Sequence, residues 1–335
     1  MNVLVIGGTQ FIGRLLVHEL LKAGHDVTVL HRKPKHDLPR RVANLQADRN
    51  DAAALKSALA GRRFDAVFDN VYDWEHGTTA AQVEATARLA ASDRLHRYVY
   101  ISSVAAYGDG LNHHEGDALA PDDHAESYVR NKAMAERALF RMHQRDKFPV
   151  VTVRPPFIYG PGNNFYREAF FWERLHAKRP IILPGDGRRL MQFVHVVDLV
   201  AAMLKSIELP EACGQAFNIA NPRPIAQIEA VEAMARAAGR PLQVVRIPRD
   251  RIRRAGGSPF GPRYYFAFYY DLPPITMIVN KAQRVLKFKP VDFDEGMKET
   301  HRWWQRHNPF PKPDFAFEDS LIALAAKLPP PVDEV

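Results

Sequence analysis

Short apolar runs alternate along the first half of the chain with longer stretches in which apolar residues recur every three or four positions. The short runs are typical of buried parallel strands, and the longer stretches are typical of amphipathic helices. The expected strands are 3–6, 26–30, 42–47, 64–69, 98–102 and 149–154, and the expected helices are 11–23, 52–60, 79–91 and 127–145. Their alternation predicts an α/β fold with a doubly wound parallel sheet.

Outside these elements the pattern is less regular. Residues 109–125 are polar and rich in Asp and His, and we expect them to form a loop over the C-terminal edge of the sheet. Beyond residue 155, short strands and helices mix with loops rich in proline and glycine, which indicates a smaller domain built on the edge of the sheet. The tail from 309 to 335 has many prolines, one expected helix near 318–327 and an acidic end.

A glycine turn joins the first strand to the first helix. Glycine lets the backbone bend sharply, and the free N–H groups at the helix N-terminus attract an anion. Such a turn, placed directly after the first strand, is typical of a site for the pyrophosphate of a dinucleotide. Cofactor contacts are therefore predicted throughout the turn, from Gly7, Gly8, Thr9, Gln10, Phe11, Ile12 and Gly13.

The turn departs from a G-x-x-G-x-x-G spacing at its middle position, which is Gln10. A side chain at that position should lie beside the pyrophosphate. We expect the Gln10 amide to donate a hydrogen bond to a phosphate oxygen.

The residues after the second strand bear on the choice of dinucleotide. An acidic side chain there would bind the ribose 2′-hydroxyl of NAD, whereas this chain has His31, Arg32 and Lys33, which suit a 2′-phosphate. The sequence therefore favours NADP over NAD. An arginine at this point can also stack on adenine without selecting a phosphate. Asp48, at the end of the third strand, is placed to hold the adenine amino group.

The candidate chemistry lies at the start of the helix at 127–145. Tyr128 and Lys132 are four residues apart and share one helical face, so both can reach a bound nicotinamide. A phenol with a pKa of about 10 is a weak base, but a nearby ammonium group stabilises its phenolate form. Tyr128 can then exchange a proton with a substrate hydroxyl or carbonyl. Ser103, at the end of the fifth strand, is expected to hydrogen-bond the same substrate oxygen.

Together these motifs resemble the extended short-chain dehydrogenase/reductase family, the NAD(P)-dependent epimerase/dehydratase group. The resemblance covers about residues 1–305 and includes downstream segments at 154–162, 193–199, 217–220 and 280–282. It implies a Rossmann-type sheet with a smaller C-terminal substrate domain, a catalytic trio of Ser103, Tyr128 and Lys132, and a homodimer formed through a four-helix interface. We also expect Ser102 and Pro155 to contact the cofactor.

The resemblance implies three regions: an NAD(P)-binding Rossmann domain at 1–165 with strands returning from later sequence, a region at 166–310 that is mainly substrate domain, and a tail at 311–335. The expected activity is hydride transfer on a sugar, a nucleotide-sugar or a related hydroxyl or keto compound. Epimerase and dehydrogenase or reductase reactions both remain open. A dehydratase is disfavoured because Val104 and Ala105 follow Ser103, where an acid/base pair would be needed.

Two features qualify this interpretation. Met191 lies where many nucleotide-sugar epimerases have an arginine that meets the substrate diphosphate, and Arg188 or Arg189 would have to replace it. The glycine turn is also similar to that of atypical members, the chloroplast stem-loop RNA-binding proteins. The alternative is therefore an RNA-binding protein with a structural or regulatory dinucleotide, and the basic and aromatic segment at 246–270 is its candidate contact.

The composition limits the number of domains, the cellular compartment and the partners that are expected. With 335 residues, 46% of them hydrophobic, the chain can bury a sizeable core and needs no more than two domains. Cys213 is the single cysteine, which excludes an internal disulfide framework and suits a cytoplasmic protein. No apolar run approaches the ~20 residues that span a bilayer, and neither a membrane nor a metal partner is expected. The net charge of +8 is compatible with a nucleotide or with nucleic acid and does not choose between them.

Overall fold

The computed structural model describes residues 1–326, in which strands and helices alternate through the first half of the chain. The strands are β1 (Asn2–Ile6), β2 (Asp26–His31), β3 (Ala43–Gln46), β4 (Ala66–Asp69), β5 (Arg97–Ile101), β6 (Gly110–His113), β7 (Val150–Arg154), β8 (Phe157–Tyr159), β9 (Ile181–Pro184), β10 (Leu190–Met191), β11 (Phe193–His195), β12 (Gln215–Asn218), β13 (Ile225–Ala226), β14 (Val244–Ile247) and β15 (Ile275–Met277). The α-helices are α1 (Phe11–Lys22), α2 (Ala52–Leu59), α3 (Ala80–Ala90), α4 (Ser127–Asp146), α5 (Glu168–His176), α6 (Val196–Glu208), α7 (Gln227–Ala238), α8 (Arg249–Arg254), α9 (Asn280–Val285), α10 (Phe293–His307) and α11 (Ala316–Ala326), with short 3-10 helices at Val104–Tyr107 and Pro210–Ala212.

The chain forms two compact units. The first is built from 1–158, 192–223 and 275–291, and the second from 159–191, 224–274 and the described residues from 292 onward. Each unit therefore combines segments that are far apart in the sequence.

A seven-stranded sheet forms the centre of the first unit. Its strand order is β12-β7-β5-β4-β1-β2-β3, and its neighbouring strands pair in parallel. Alternate residues of β1 enter the apolar clusters on opposite faces: Val3 and Val5 pack with α1 and α6, whereas Leu4 and Ile6 pack with α2, α3 and α4. The predicted doubly wound parallel sheet, a Rossmann-type fold, is confirmed. All carboxyl ends of its strands consequently lie at one edge.

Every strand and helix predicted before residue 155 is present, with ends shifted by at most two residues. Local capping explains part of this agreement, because Asp51 and Thr79 accept hydrogen bonds from the first-turn N–H groups of α2 and α3. The prediction that 109–125 is a loop was wrong in part, since β6 lies within it and pairs in parallel with β15. That partner strand comes about 160 residues later, so no local pattern reveals it.

In the second unit, α7 packs against α5 and α10, β9 pairs with β14, and β10 pairs with β13. The aromatic part of 246–270 contributes to the interior, because Tyr265, Phe266 and Tyr270 are buried. Helix α11 covers most of the helix predicted at 318–327, while Lys327 and the acidic end lie outside the described residues. Within residues 1–326, no helix combines the length and the apolar character that crossing a membrane requires.

Candidate active site

The glycine turn after β1 is too tightly packed to accept side chains at its key positions. Gly7 has φ +84°, a conformation that side chains rarely adopt. A Cβ on Gly13 would lie 1.9 Å from the Gly7 carbonyl oxygen, and a Cβ on Gly8 would lie 2.6 Å from a Val29 methyl group. The first turn of α1 therefore approaches the chain as closely as a pyrophosphate site requires. Thr9, Gln10, Phe11 and Ile12 complete this turn, and Gln10 is the exposed N-cap residue of α1.

Unsatisfied polar atoms beside this turn fit the binding of a polar ligand. Asn70 directly follows β4, and its Cβ lies 3.7 Å from the position that a Gly7 Cβ would take. Both polar atoms of the Asn70 side chain are buried and have no hydrogen-bond partner within residues 1–326. Buried polar groups are costly when they are left unpaired, so a polar molecule is expected to complete them. The turn and Asn70 together fit a dinucleotide.

The residues predicted to choose the dinucleotide lie at the same sheet edge. His31 ends β2, and its ring contacts the Asn44 side-chain oxygen at 2.6 Å. Arg32 is exposed and lies 3.9 Å from the Asp73 carboxylate, and Lys33 is exposed. Asp48, which follows β3, is half-buried and accepts a hydrogen bond from the Asn50 backbone N–H.

Helix α4 carries the candidate catalytic pair, and aromatic rings surround it. The Trp74 indole stacks on the Tyr128 ring with centroids 4.9 Å apart, and Tyr72 meets Tyr128 edge-on at 4.8 Å. Half of the Trp74 surface is nevertheless exposed. The Lys132 ammonium lies 5.9 Å from the centre of the Tyr128 ring. The predicted pair is therefore brought together, with an aromatic wall on one face of Tyr128.

Lys132 is buried more deeply than a surface lysine on a helix. Its Nζ donates a hydrogen bond to the Ile101 carbonyl at 2.6 Å, and it lies 4.7 Å from the centre of the Tyr100 ring. Burial is the largest cause that lowers the pKa of Lys132, to about 8. Lys132 consequently loses its proton at a lower pH than an ordinary lysine does.

The two serines after β5 have different surroundings. Ser103 caps the short 3-10 helix, and its Oγ accepts a hydrogen bond from the Ala105 N–H at 3.1 Å. Ser102 instead donates to the Glu136 carboxylate and is buried. Pro155 is also buried, and its carbonyl accepts from the Val104 N–H at 3.0 Å.

A buried ion pair, which the sequence did not reveal, anchors α4. Glu136, one turn beyond Lys132, accepts bonds of 2.7–3.1 Å from the Arg154 guanidinium and one of 2.9 Å from Thr152. Arg154 also donates to the Tyr107 hydroxyl at 2.7 Å, and burial raises the pKa of Tyr107 to about 12. This network ties α4 to β5 and β7. The spacing of Lys132 and Glu136 on one helical face was the only available signal.

Among the described residues, 1–326, no cluster of three or more histidine, cysteine or acidic side chains could hold a metal ion.

Known proteins share both the sequence pattern and the fold. The sequence model of the NAD dependent epimerase/dehydratase family matches residues 3–220. The chain is 31% identical to the chloroplast stem-loop binding protein of 41 kDa b of Arabidopsis thaliana, over 96% of this chain and 84% of that protein. It is 26% identical to a dTDP-4-dehydro-6-deoxy-D-allose reductase of Streptomyces bikiniensis, over 91% and 97%. The crystal structure of dTDP-glucose 4,6-dehydratase from Bacillus anthracis in complex with NAD matches with a TM-score of 0.74 and 18% identity, over 93% and 99%.

Proposed function

The chain belongs to the NAD-dependent epimerase/dehydratase family and is an NAD(P)-dependent oxidoreductase or epimerase, and we propose that it uses Ser103, Tyr128 and Lys132 to move a hydride to or from a sugar-like substrate. The observation that carries this proposal is the placement of Tyr128 beside Lys132 on α4, with their distance of 5.9 Å from ring centre to Nζ. Ser103 and the glycine turn follow strands of the same sheet and lie at its carboxyl edge.

A nicotinamide dinucleotide held at the glycine turn would supply the acceptor and donor of the hydride. Tyr128 takes the hydroxyl proton as the carbinol becomes a carbonyl, and gives it back in the reverse direction. The Lys132 ammonium lowers the free energy of the phenolate form of Tyr128. The Ser103 hydroxyl donates to the substrate oxygen, and its Oγ continues to accept the hydrogen bond from the Ala105 N–H. These residue roles would serve an epimerase and a dehydrogenase or reductase alike.

Several features support a substrate with a ring. The exposed indole of Trp74 provides a flat apolar wall beside Tyr128, against which the C–H face of a sugar can pack. The reductase from Streptomyces bikiniensis is named for a nucleotide-sugar substrate. Of the two arginines near Met191, Arg189 is bound to Asp271, whereas Arg188 is exposed. Arg188 is therefore the better candidate to meet a substrate phosphate.

The proposed function is tested by screening nucleotide-sugars, free sugars and related alcohols with the purified chain and oxidised cofactor. We expect at least one compound to produce the absorbance of reduced nicotinamide or to be converted to its epimer. Failure of the whole panel, with protein that binds the dinucleotide, would contradict hydride transfer as its activity.

Arg32→Ala is expected to weaken NADP binding by about 10- to 100-fold and to leave NAD binding unchanged. The reason is that a charge-assisted contact to the 2′-phosphate contributes about 1.5–3 kcal/mol, and Arg32 is exposed at the end of β2. Isothermal titration of the variant with each dinucleotide measures this. Arg40→Ala, which removes another exposed arginine in the following loop, is the control. An equal loss for NAD and NADP would instead show that Arg32 stacks on adenine.

RNA binding is a second candidate activity, favoured by the relative named for stem-loop binding and by exposed basic and aromatic side chains of the second unit. Arg253, Arg254 and Arg263 are exposed there, and Phe260 is 52% exposed. Cations neutralise phosphates and an exposed ring stacks on bases. Titration of a labelled RNA stem-loop should then show affinity that falls steeply with salt and drops in an Arg253→Glu, Arg254→Glu variant. Affinity that is insensitive to both changes would exclude this surface.

A further inference from the structure

A second buried ion pair lies near Lys132. Arg49 follows β3 and Asp69 ends β4; they are 3% and 0% exposed, and the Arg49 guanidinium donates to the Asp69 carboxylate. Tyr98 of β5 donates to the same carboxylate at 2.8 Å. Neither charged residue was singled out by the sequence pattern.

This pair is incomplete, in contrast to the pair of Glu136 and Arg154. Nε and Nη1 of Arg49 and Oδ1 of Asp69 are buried without a hydrogen-bond partner in the described part of the chain. Burying two charges costs free energy that only excellent geometry and further hydrogen bonds repay, and two apolar residues would commonly serve stability as well. The pair is therefore poorly explained as a stabilising contact.

Geometry places the pair next to Lys132. Asp69 and Tyr100 are paired residues of neighbouring parallel strands, so their side chains point to the same face of the sheet. The Lys132 ammonium lies over the Tyr100 ring at 4.7 Å. The Asp69 carboxylate favours the charged form of Lys132 and the Arg49 guanidinium disfavours it, while burial lowers its pKa overall.

Other titratable groups also surround Lys132. Burial raises the pKa of Tyr98 and of Tyr100, so both phenols are neutral near physiological pH. Glu136 acts in the same direction as Asp69. The titratable and charged groups packed about Lys132, taken element by element, are Arg49 after β3, Asp69 of β4, Tyr72 after β4, Tyr98 and Tyr100 of β5, Tyr128 and Glu136 of α4, and Arg154 of β7.

We propose that Asp69 and Arg49 are positioning residues with opposite effects on the protonation of Lys132: the Asp69 carboxylate stabilises the protonated Nζ, and the Arg49 guanidinium destabilises it. Only the task given to Lys132 rests on the proposed function; the effect on its proton exists in the protein without cofactor. The Asp69 carboxylate keeps Lys132 sufficiently in its ammonium form to assist Tyr128. The Arg49 guanidinium weakens this effect, so that Lys132 can still lose its proton.

The experiment is a pH titration of the full-length, cofactor-free chain labelled with carbon-13 at the lysine Cε, followed by NMR. Lys132→Met identifies the Lys132 signal, whose midpoint is expected at about 8. Asp69→Asn should move that midpoint down by about one pH unit, and Arg49→Met should move it up by about one unit. Asp65→Asn, which changes another buried aspartate just before β4, should leave it in place.

The two variants are expected to move the Lys132 midpoint in opposite directions. Loosened packing does not produce this result, because loosening changes the burial of Lys132 in the same sense in both variants. If Asp69→Asn does not fold, Arg49→Met decides alone: a raised midpoint supports the proposal, and an unchanged or lowered one overturns it. Shifts of both variants in one direction also overturn it. None of these readouts requires enzyme activity, so failure of the proposed function remains separable.

In the active enzyme the same shifts should appear in the rate. Lys132 assists as an ammonium group, so the rate of hydride transfer should fall as the pH rises through about 8. Asp69→Asn should move this alkaline limb to lower pH and Arg49→Met to higher pH, by the shifts seen in the titration.

Discussion

Tyr128→Phe should lower the rate of hydride transfer by about 10²–10⁴-fold while leaving the affinity for the dinucleotide nearly unchanged. The substitution removes only the phenolic oxygen, which is the proposed acceptor and donor of the substrate proton. The ring remains, so its stacking on Trp74 at 4.9 Å and its contact with Tyr72 are kept. Loss confined to the rate is the signature of an interaction made only in the transition state.

The measurement is kcat with the substrate found in the screen, together with cofactor titration of the same preparation. Tyr72→Phe is the matched control, because it removes a neighbouring phenol of the same aromatic group and one hydrogen bond from Asn131. We expect that variant to retain most of its activity. Equal effects of the two substitutions would mean that the aromatic group, rather than the Tyr128 proton, determines the rate.

Gly13→Ala should weaken dinucleotide binding by about 100-fold or more, with little activity left at ordinary cofactor concentrations. The added methyl carbon would lie 1.9 Å from the Gly7 carbonyl oxygen and 2.8 Å from its carbon, both of which are backbone atoms. Helix α1 must then move away from the turn. Forcing extra volume into such packing costs about 1–3 kcal/mol, and displacement of the helix also removes its N-terminus from the phosphates.

Cofactor titration of this variant is compared with that of Gly116→Ala, because no atom lies within 4 Å of a Cβ at Gly116 and its backbone is unstrained. Wild-type affinity is expected for the control. A Gly13→Ala protein that is folded by circular dichroism and binds the dinucleotide normally would show that the turn is not the pyrophosphate site.

The features that could be predicted from the sequence are local. The strand, glycine turn and helix at 2–22 follow from neighbouring residues, and the four-residue spacing of Tyr128 and Lys132 defines a shared helical face. The start of α2 at Asp51 could be predicted because an aspartate is a favoured N-cap residue. The parallel pairing of the strands followed from the alternation of strands and helices.

The features that escaped prediction depend on distant partners. Glu136 and Arg154 look like ordinary charges on a helix and a strand end until α4 packs on the sheet. Arg49 lies in a polar run that is typical of a surface loop, and only the pairing of β4 with its neighbours buries it against Asp69. Strand β6 likewise depends on residues 275–277. Spacing in the sequence gives no direct sign of such contacts.

The direct test of hydride transfer at this site uses reduced cofactor that carries deuterium at the transferable position of the nicotinamide. The chain is incubated with the keto forms of the compounds that it converts in the screen, and the masses of the products are measured by mass spectrometry. Wild-type protein should give a product heavier by one deuterium on the new carbinol carbon, and Tyr128→Phe should give almost none in the same time. Product without deuterium, or equal labelling by both proteins, would contradict hydride transfer assisted by Tyr128.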